Sequence, residues 1–269
     1  MEAFFLPRES GQRFCLFHPA RDYKARGAVI YVHPFAEEMN KARRMAALQA
    51  RAMANAGFDV LQIDLLGCGD SSGDFSDATW QAWNDDILAG YLWLRTRSQA
   101  PLTLWGLRAG CLLATNAADK LTEQANFIFW QPVISGKQHW QQFMRLKMAG
   151  GLTSGSAKGV SEGIKQHLAA GQTVEIAGYS ISPLLAGSLE KAELEMPDVH
   201  PGRVIWLELS TRDDVILAPL SQKRVEEWQA SGINVEAKVV YGPGFWQTTE
   251  IEDAPELIAA TMSALESRQ

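Results

Sequence analysis

The chain has 269 residues, 46% of them hydrophobic, a length and composition suited to one sizeable core in a single α/β domain with a local insertion. Charged residues make up 21% and the formal net charge is −6, without a long run of Lys or Arg to track a phosphate backbone, which argues against a nucleic-acid partner. Residues 1–14 lack the basic start and apolar core of a signal peptide, no stretch nears the roughly 20 apolar residues of a membrane span, and Cys15, Cys68 and Cys111 lack metal-site spacing; the expectation is a cytoplasmic protein with reduced thiols, no bound metal and no cofactor.

Two short alternating runs, 2–6 and 12–17, flank Arg8-Glu-Ser-Gly11 and predict a β-hairpin. Residues 27–33 then form a nearly continuous apolar run, the mark of a strand buried on both faces. Helical spacing of Met45, Leu48, Ala52 and Met53 predicts a helix over 40–56, which Gly57 would end. The couplet repeats as strand 58–65 and helix 79–97, strand 102–105 and helix 108–121, then strand 126–131. Between 133 and 200 the alternation stops, and the turn-rich stretch 150–159 separates two helical segments; this region reads as an inserted lid. Strand 203–209, helix 219–230, strand 235–241 and helix 254–265 complete a mainly parallel sheet with helices on both faces.

The sharpest motif is Leu102-Thr-Leu-Trp-Gly106-Leu-Arg108-Ala-Gly110, a strand turning into a helix through Gly-x-x-x-Gly, the context of the nucleophile elbow of an α/β-hydrolase. Asp64-Leu-Leu-Gly67-Cys-Gly69-Asp-Ser71-Ser-Gly73 follows a stretch common after the preceding strand of such folds. His33-Pro34-Phe35 occupies the loop that contributes one oxyanion-hole N–H. Ser71 and Ser72 read as turn formers with helix-capping potential.

Together with His33-Pro-Phe-Ala-Glu-Glu-Met-Asn-Lys41, the segments Trp130-Gln-Pro-Val-Ile-Ser-Gly-Lys137 and Gly242-Pro-Gly-Phe-Trp246 resemble the exosortase A system-associated hydrolase 2 family of the α/β-hydrolase superfamily. The resemblance covers nearly the whole chain. It implies the α/β-hydrolase fold and a neighbourhood in the bacterial system that sorts PEP-CTERM proteins and makes exopolysaccharide, with a protein of that system as a possible partner. It supplies no substrate.

An acyl-transfer triad in this fold needs serine, an acid and histidine in that order. At the elbow stands Arg108, whose guanidinium stays protonated and has no lone pair to attack with. Asp213, or alternatively Asp214, falls where the acid belongs. No histidine follows His200, so the base is missing from the segment after the last strand. In a serine protease, loss of the serine or histidine alone costs about a millionfold in kcat. Cys111, just past the second elbow glycine, is a poor substitute because it lies on the helix.

The remaining candidates surround the elbow. His33, Phe35 and Glu37 on the loop and helix after the first parallel strand, Leu107, Arg108 and Ala109 at the turn, and Trp130, Phe245 and Trp246 at carboxyl ends of strands are expected to line a ligand pocket. Aromatic faces there suit a sugar ring or an acyl chain, and Arg108 suits an anion. Against this, Arg108 could be half of a structural ion pair with Asp213, Asp214 or Glu37. His18, His139, His167 and His200 read as structural or surface residues. The leading reading is a protein with a degenerate triad that binds a small anionic, acyl or glycosyl ligand. Its rivals are an ester or thioester hydrolase using Asp213 or a lid residue to activate water, and a scaffold whose lid docks another protein.

Overall fold

The computed structural model describes residues 1–21, 24–150, 157–197, 201–212 and 216–267. The hairpin pairs β1 (Glu2–Arg8) with β2 (Gly11–His18), Glu2 opposite Phe17. There follow β3 (Gly27–Val32), α1 (Glu37–Asn55), β4 (Phe58–Ile63), α2 (Trp80–Arg95), β5 (Leu102–Leu107), α3 (Gly110–Ala118) and β6 (Ala125–Trp130). Between β6 and the next sheet strand lie α4 (Gly136–Gly150), α5 (Ala157–Ala169), a small hairpin of β7 (Val174–Ile176) and β8 (Tyr179–Ile181), and α6 (Pro183–Lys191). The chain closes with β9 (Val204–Ser210), α7 (Pro219–Ala230), β10 (Val235–Tyr241) and α8 (Pro255–Glu266).

Eight strands form one sheet in the order β1-β2-β4-β3-β5-β6-β9-β10, antiparallel at the β1-β2-β4 edge and parallel beyond it. Strand alternation divides the core into two layers. Val29, Tyr31, Trp105, Ile128 and Ile205 face α1 and α8, while Ile30, Val32, Leu104, Phe127 and Phe129 belong to the opposite layer with residues of α2, α3 and α7. On α1, Met39, Ala42, Met45, Ala46, Gln49, Ala50 and Met53 are buried at helical spacing, so one stripe of that helix covers the sheet.

The boundaries depart from the sequence expectation where the chain turns. α1 starts at Glu37 and not at 40, because the acidic pair Glu37 and Glu38 suits a first turn. β5 runs to Leu107, and Arg108 lies before α3, outside the helix into which its spacing had drawn it. The β7–β8 hairpin was not foreseen; its turn uses Ala177 at φ 50° and Gly178 at φ 84°. Ser71 and Ser72 cap no helix: their Oγ atoms accept from the backbone N–H groups of Phe14 and Gln12 and stitch the loop after β4 to the hairpin.

Candidate functional site

The carboxyl edge of the parallel strands carries a concentration of unusual backbone. Ala36 (φ 50°), Arg108 (φ 55°) and Gln131 (φ 44°) sit just past β3, β5 and β6, all in the left-handed region that non-glycine residues avoid. Such geometry persists only where its surroundings fix it. Here Arg108 N–H donates to Trp130 O at 3.0 Å, and Arg108 O accepts from Cys111 N–H at 3.1 Å and Val133 N–H at 3.3 Å. Gln131 is held in turn by its N–H on Leu207 O and by its Oε1, which accepts from Leu209 N–H at 2.7 Å.

Two glycines make the turn possible. A Cβ on Gly110 would lie 2.3 Å from Val32 O and 2.7 Å from His33 O, and one on Gly106 would lie 2.7 Å from Cys111 Cα. The start of α3 therefore packs directly against the loop leaving β3. Among the described residues, the backbone N–H groups of Ala109 and Phe35, one on each side of this contact, donate to no acceptor. Unpaired backbone donors at a helix N-terminus favour negative charge nearby.

The Arg108 side chain leaves the elbow toward α1. Its Nε donates to Glu38 Oε1 at 3.1 Å, and its guanidinium carbon stands 5.4 Å from the centroid of the Trp246 ring. Both side chains are mostly covered, 15% exposed for Arg108 and 20% for Glu38. The sequence had offered Glu37, Asp213 or Asp214 as the partner. Glu37 is otherwise engaged: its Oε2 accepts from Asn40 Nδ2 at 3.1 Å and Tyr179 OH at 3.0 Å, and one residue along a helix turns the side chain by about 100° away from Glu38. Asp213 and Asp214 lie outside the described residues.

Over this pair is a cavity of about 490 Å³. Phe35, Glu37, Glu38 and Lys41 form one wall, Arg108 the floor, Gln247 an edge, and His139, Gln142 and Phe143 from α4 the roof. The roof residues recur at i, i+3 and i+4, one face of a helix. His139 is 5% exposed, and neither ring nitrogen has a partner among the described residues. Burial, aided by the nearby Arg108 charge and opposed by Glu38, pulls its pKa down to about 4, so the ring is neutral at ordinary pH.

Several expected pocket residues lie elsewhere. His33 donates from Nδ1 to Pro34 O at 2.8 Å while its Nε2 accepts from Leu65 N–H, and it lines a separate cavity of about 230 Å³ with Arg43 and Asp64. Trp130 is 1% exposed, gives its Nε1–H to Thr261 Oγ1 and packs between Trp105 and Phe245 in the core. Leu107 and Phe245 are likewise buried beneath the site, and Trp246 meets it only through the face under Arg108. Phe35, Glu37 and Arg108 line the cavity, whereas Ala109 is buried and is not among its lining residues. Lys41, Glu38, His139, Gln142, Phe143 and Gln247 were not foreseen. Cys111 is fully buried in the first turn of α3, and burial pushes its thiol well above the usual range, which removes the thiolate a nucleophile needs.

A mainly parallel sheet with helices on both faces and a strained elbow between β5 and α3 defines an α/β-hydrolase fold. Residues 23–190 match the family described as Serine aminopeptidase, S33 (Hydrolase_4), and the chain belongs to it. The human Protein ABHD12B is 32% identical over 111 residues, 41% of this chain; the chain spans only 29% of that relative's length. Among solved structures, Est1E from Butyrivibrio proteoclasticus with bound ferulic acid superposes with a TM-score of 0.67 at 15% identity, over 99% of this chain and all of the other. Alpha/beta hydrolase domain-containing protein 10 from mouse gives 0.60 at 15% identity over the full length of both chains. At such identities the likeness is one of fold.

Proposed function

We propose that this protein uses the inherited hydrolase pocket to bind a small anionic ligand and does not carry out serine acyl transfer. The observation that carries the reading is Arg108 at the elbow: among the described residues only its Nε is engaged, leaving the terminal nitrogens of a rigid donor fork beside an open cavity, and the backbone N–H groups of Ala109 and Phe35 near it are unpaired. A catalytic serine would have to occupy that position. With arginine there and no histidine after His200, the triad is degenerate. Phe35 and Phe143 supply apolar surface for an acyl or glycosyl body, and α4, the first helix of the inserted segment, covers it as a lid. The likeness of its motifs to the exosortase A-associated family supports a cytoplasmic role beside PEP-CTERM sorting or exopolysaccharide synthesis.

The test has two readouts on the full chain. A serine-directed fluorophosphonate probe should label only at background, and an aromatic carboxylate such as 3-phenylpropionate should raise the melting temperature of wild type but not of Arg108→Ala. Stoichiometric labelling of a single serine, or a carboxylate shift that persists without Arg108, would overturn the proposal.

A further inference from the structure

The contacts around Arg108 narrow the ligand class, an inference that rests on the anion-binding reading above. The Arg108–Glu38 pair is incomplete on both sides. Among the described residues, Arg108 uses Nε alone and Glu38 uses Oε1 alone, and Glu38 Oε2 is buried with no hydrogen-bond partner. A buried carboxylate oxygen without a donor is costly, and so is the His139 ring above it with both nitrogens unengaged. Arg108 and Glu38 both line the cavity, so a turn of the Glu38 carboxylate brings the unpartnered oxygen to its surface, beside a cationic fork seeking an acceptor.

A plain carboxylate answers only the first demand. It would also meet an environment without excess positive charge, since Glu37 and Glu38 balance Lys41 and Arg108 around a neutral His139. We propose that the ligand is a 2-substituted carboxylate, its carboxylate held by the Arg108 fork and a hydroxyl or ammonium on the adjacent carbon donating to Glu38 Oε2. The two bonds come from groups already paired through Nε and Oε1 at 3.1 Å, so they suit substituents on neighbouring carbons. The terminal torsion of a glutamate is broad, which lets the carboxylate turn toward the donor. Its neutral ring allows His139 to accept from or donate to the same substituent. Hydroxy acids, sugar acids among them, and amino acids share this chemistry.

Three probes with one carbon skeleton isolate the substituent: 3-phenylpropionate, 3-phenyllactate and phenylalanine, which carry hydrogen, hydroxyl and ammonium at the second carbon. Their phenyl rings can rest against Phe35 and Phe143. Calorimetric titration should show 3-phenyllactate or phenylalanine binding at least about tenfold more tightly than 3-phenylpropionate, the effect of one charge-assisted hydrogen bond. Whichever of the two is tighter identifies the donor. In Glu38→Gln the advantage should vanish while 3-phenylpropionate binding persists, which also shows that the variant is folded. Equal affinity for all three, or an advantage that survives Glu38→Gln, overturns the inference and leaves the anion pocket standing. Failure of all three to bind overturns both.

Discussion

Arg13 and Arg108 each send Nε to one carboxylate oxygen, Asp86 Oδ2 at 2.7 Å and Glu38 Oε1 at 3.1 Å, but the rest of each pair differs. Arg13 and Asp86 are 1% exposed. Arg13 spends its other nitrogens on Ser10 and Gln12, and Asp86 Oδ2 also accepts from Leu66 N–H, so the pair joins the hairpin, α2 and the loop after β4 into one network. Among the described residues Arg108 has no such complement, and it faces a cavity. Full satisfaction in the dry interior marks a charge kept for architecture; partial satisfaction beside open space marks one available to something else.

The largest effect should come from breaking the complete pair. Asp86→Ala would leave Arg13 buried without a counter-charge and Leu66 N–H without an acceptor. We expect a loss of about 3–5 kcal/mol, read by chemical denaturation, because removal of one partner of a buried pair leaves the other uncompensated. A loss below about 1 kcal/mol would mean that water or rearrangement reaches Arg13, and the contrast between the two pairs would fail.

The roof of the cavity should show itself through pH. His139 has a folded pKa of about 4, below the ordinary 6.5. Between those values the unfolded chain binds a proton that the folded chain does not, so stability falls as pH drops through the window, by up to about 3 kcal/mol near pH 4. Above pH 6.5 this contribution is absent from the pH dependence. Denaturation curves of wild type and His139→Leu should therefore converge or cross as the solution is acidified, with the variant less acid-sensitive. Parallel pH profiles would place the imidazole in water and remove it from the roof.

Much of the fold was legible because its signals are local and repeated: apolar runs for β3 and β5, a 3.6-residue stripe on α1, glycines where φ must turn positive. The elbow was legible for the same reason, since Gly106 and Gly110 are required by contacts their own spacing sets. The ligand wall was not. Whether Glu37 or Glu38 reaches Arg108 depends on where α1 begins, since a start at residue 40 would leave both glutamates in the preceding loop with no fixed face. His139 looked structural because a lone histidine on a helix carries no pattern; only the face it shares with Gln142 and Phe143, seen once α4 is laid over the elbow, gives it a place. Trp130 erred in the opposite direction. Its position at a strand end suggested stacking on a ligand, but the side chain on that face points into the layer beneath α8 and bonds Thr261.

The smallest expected effect is the most discriminating one. Arg108→Ala keeps the same left-handed backbone, which burdens alanine as it does arginine, so the strain at φ 55° cancels from the comparison. What is lost is one monodentate contact to Glu38 and the stacking of a cation on Trp246, each worth about 0.5–1 kcal/mol at a site the cavity keeps partly open to water. Glu38 is left without its cation, yet at 20% exposure against 1% for Asp86 it is more open to water. We therefore expect Arg108→Ala to change stability by no more than about 2 kcal/mol, a shift of roughly 4–8 °C in Tm for a chain of this size. A cost approaching that of Asp86→Ala would make Arg108 a second architectural charge. A small cost, set against lost carboxylate binding in the same variant, separates an arginine held for a ligand from one held for the fold.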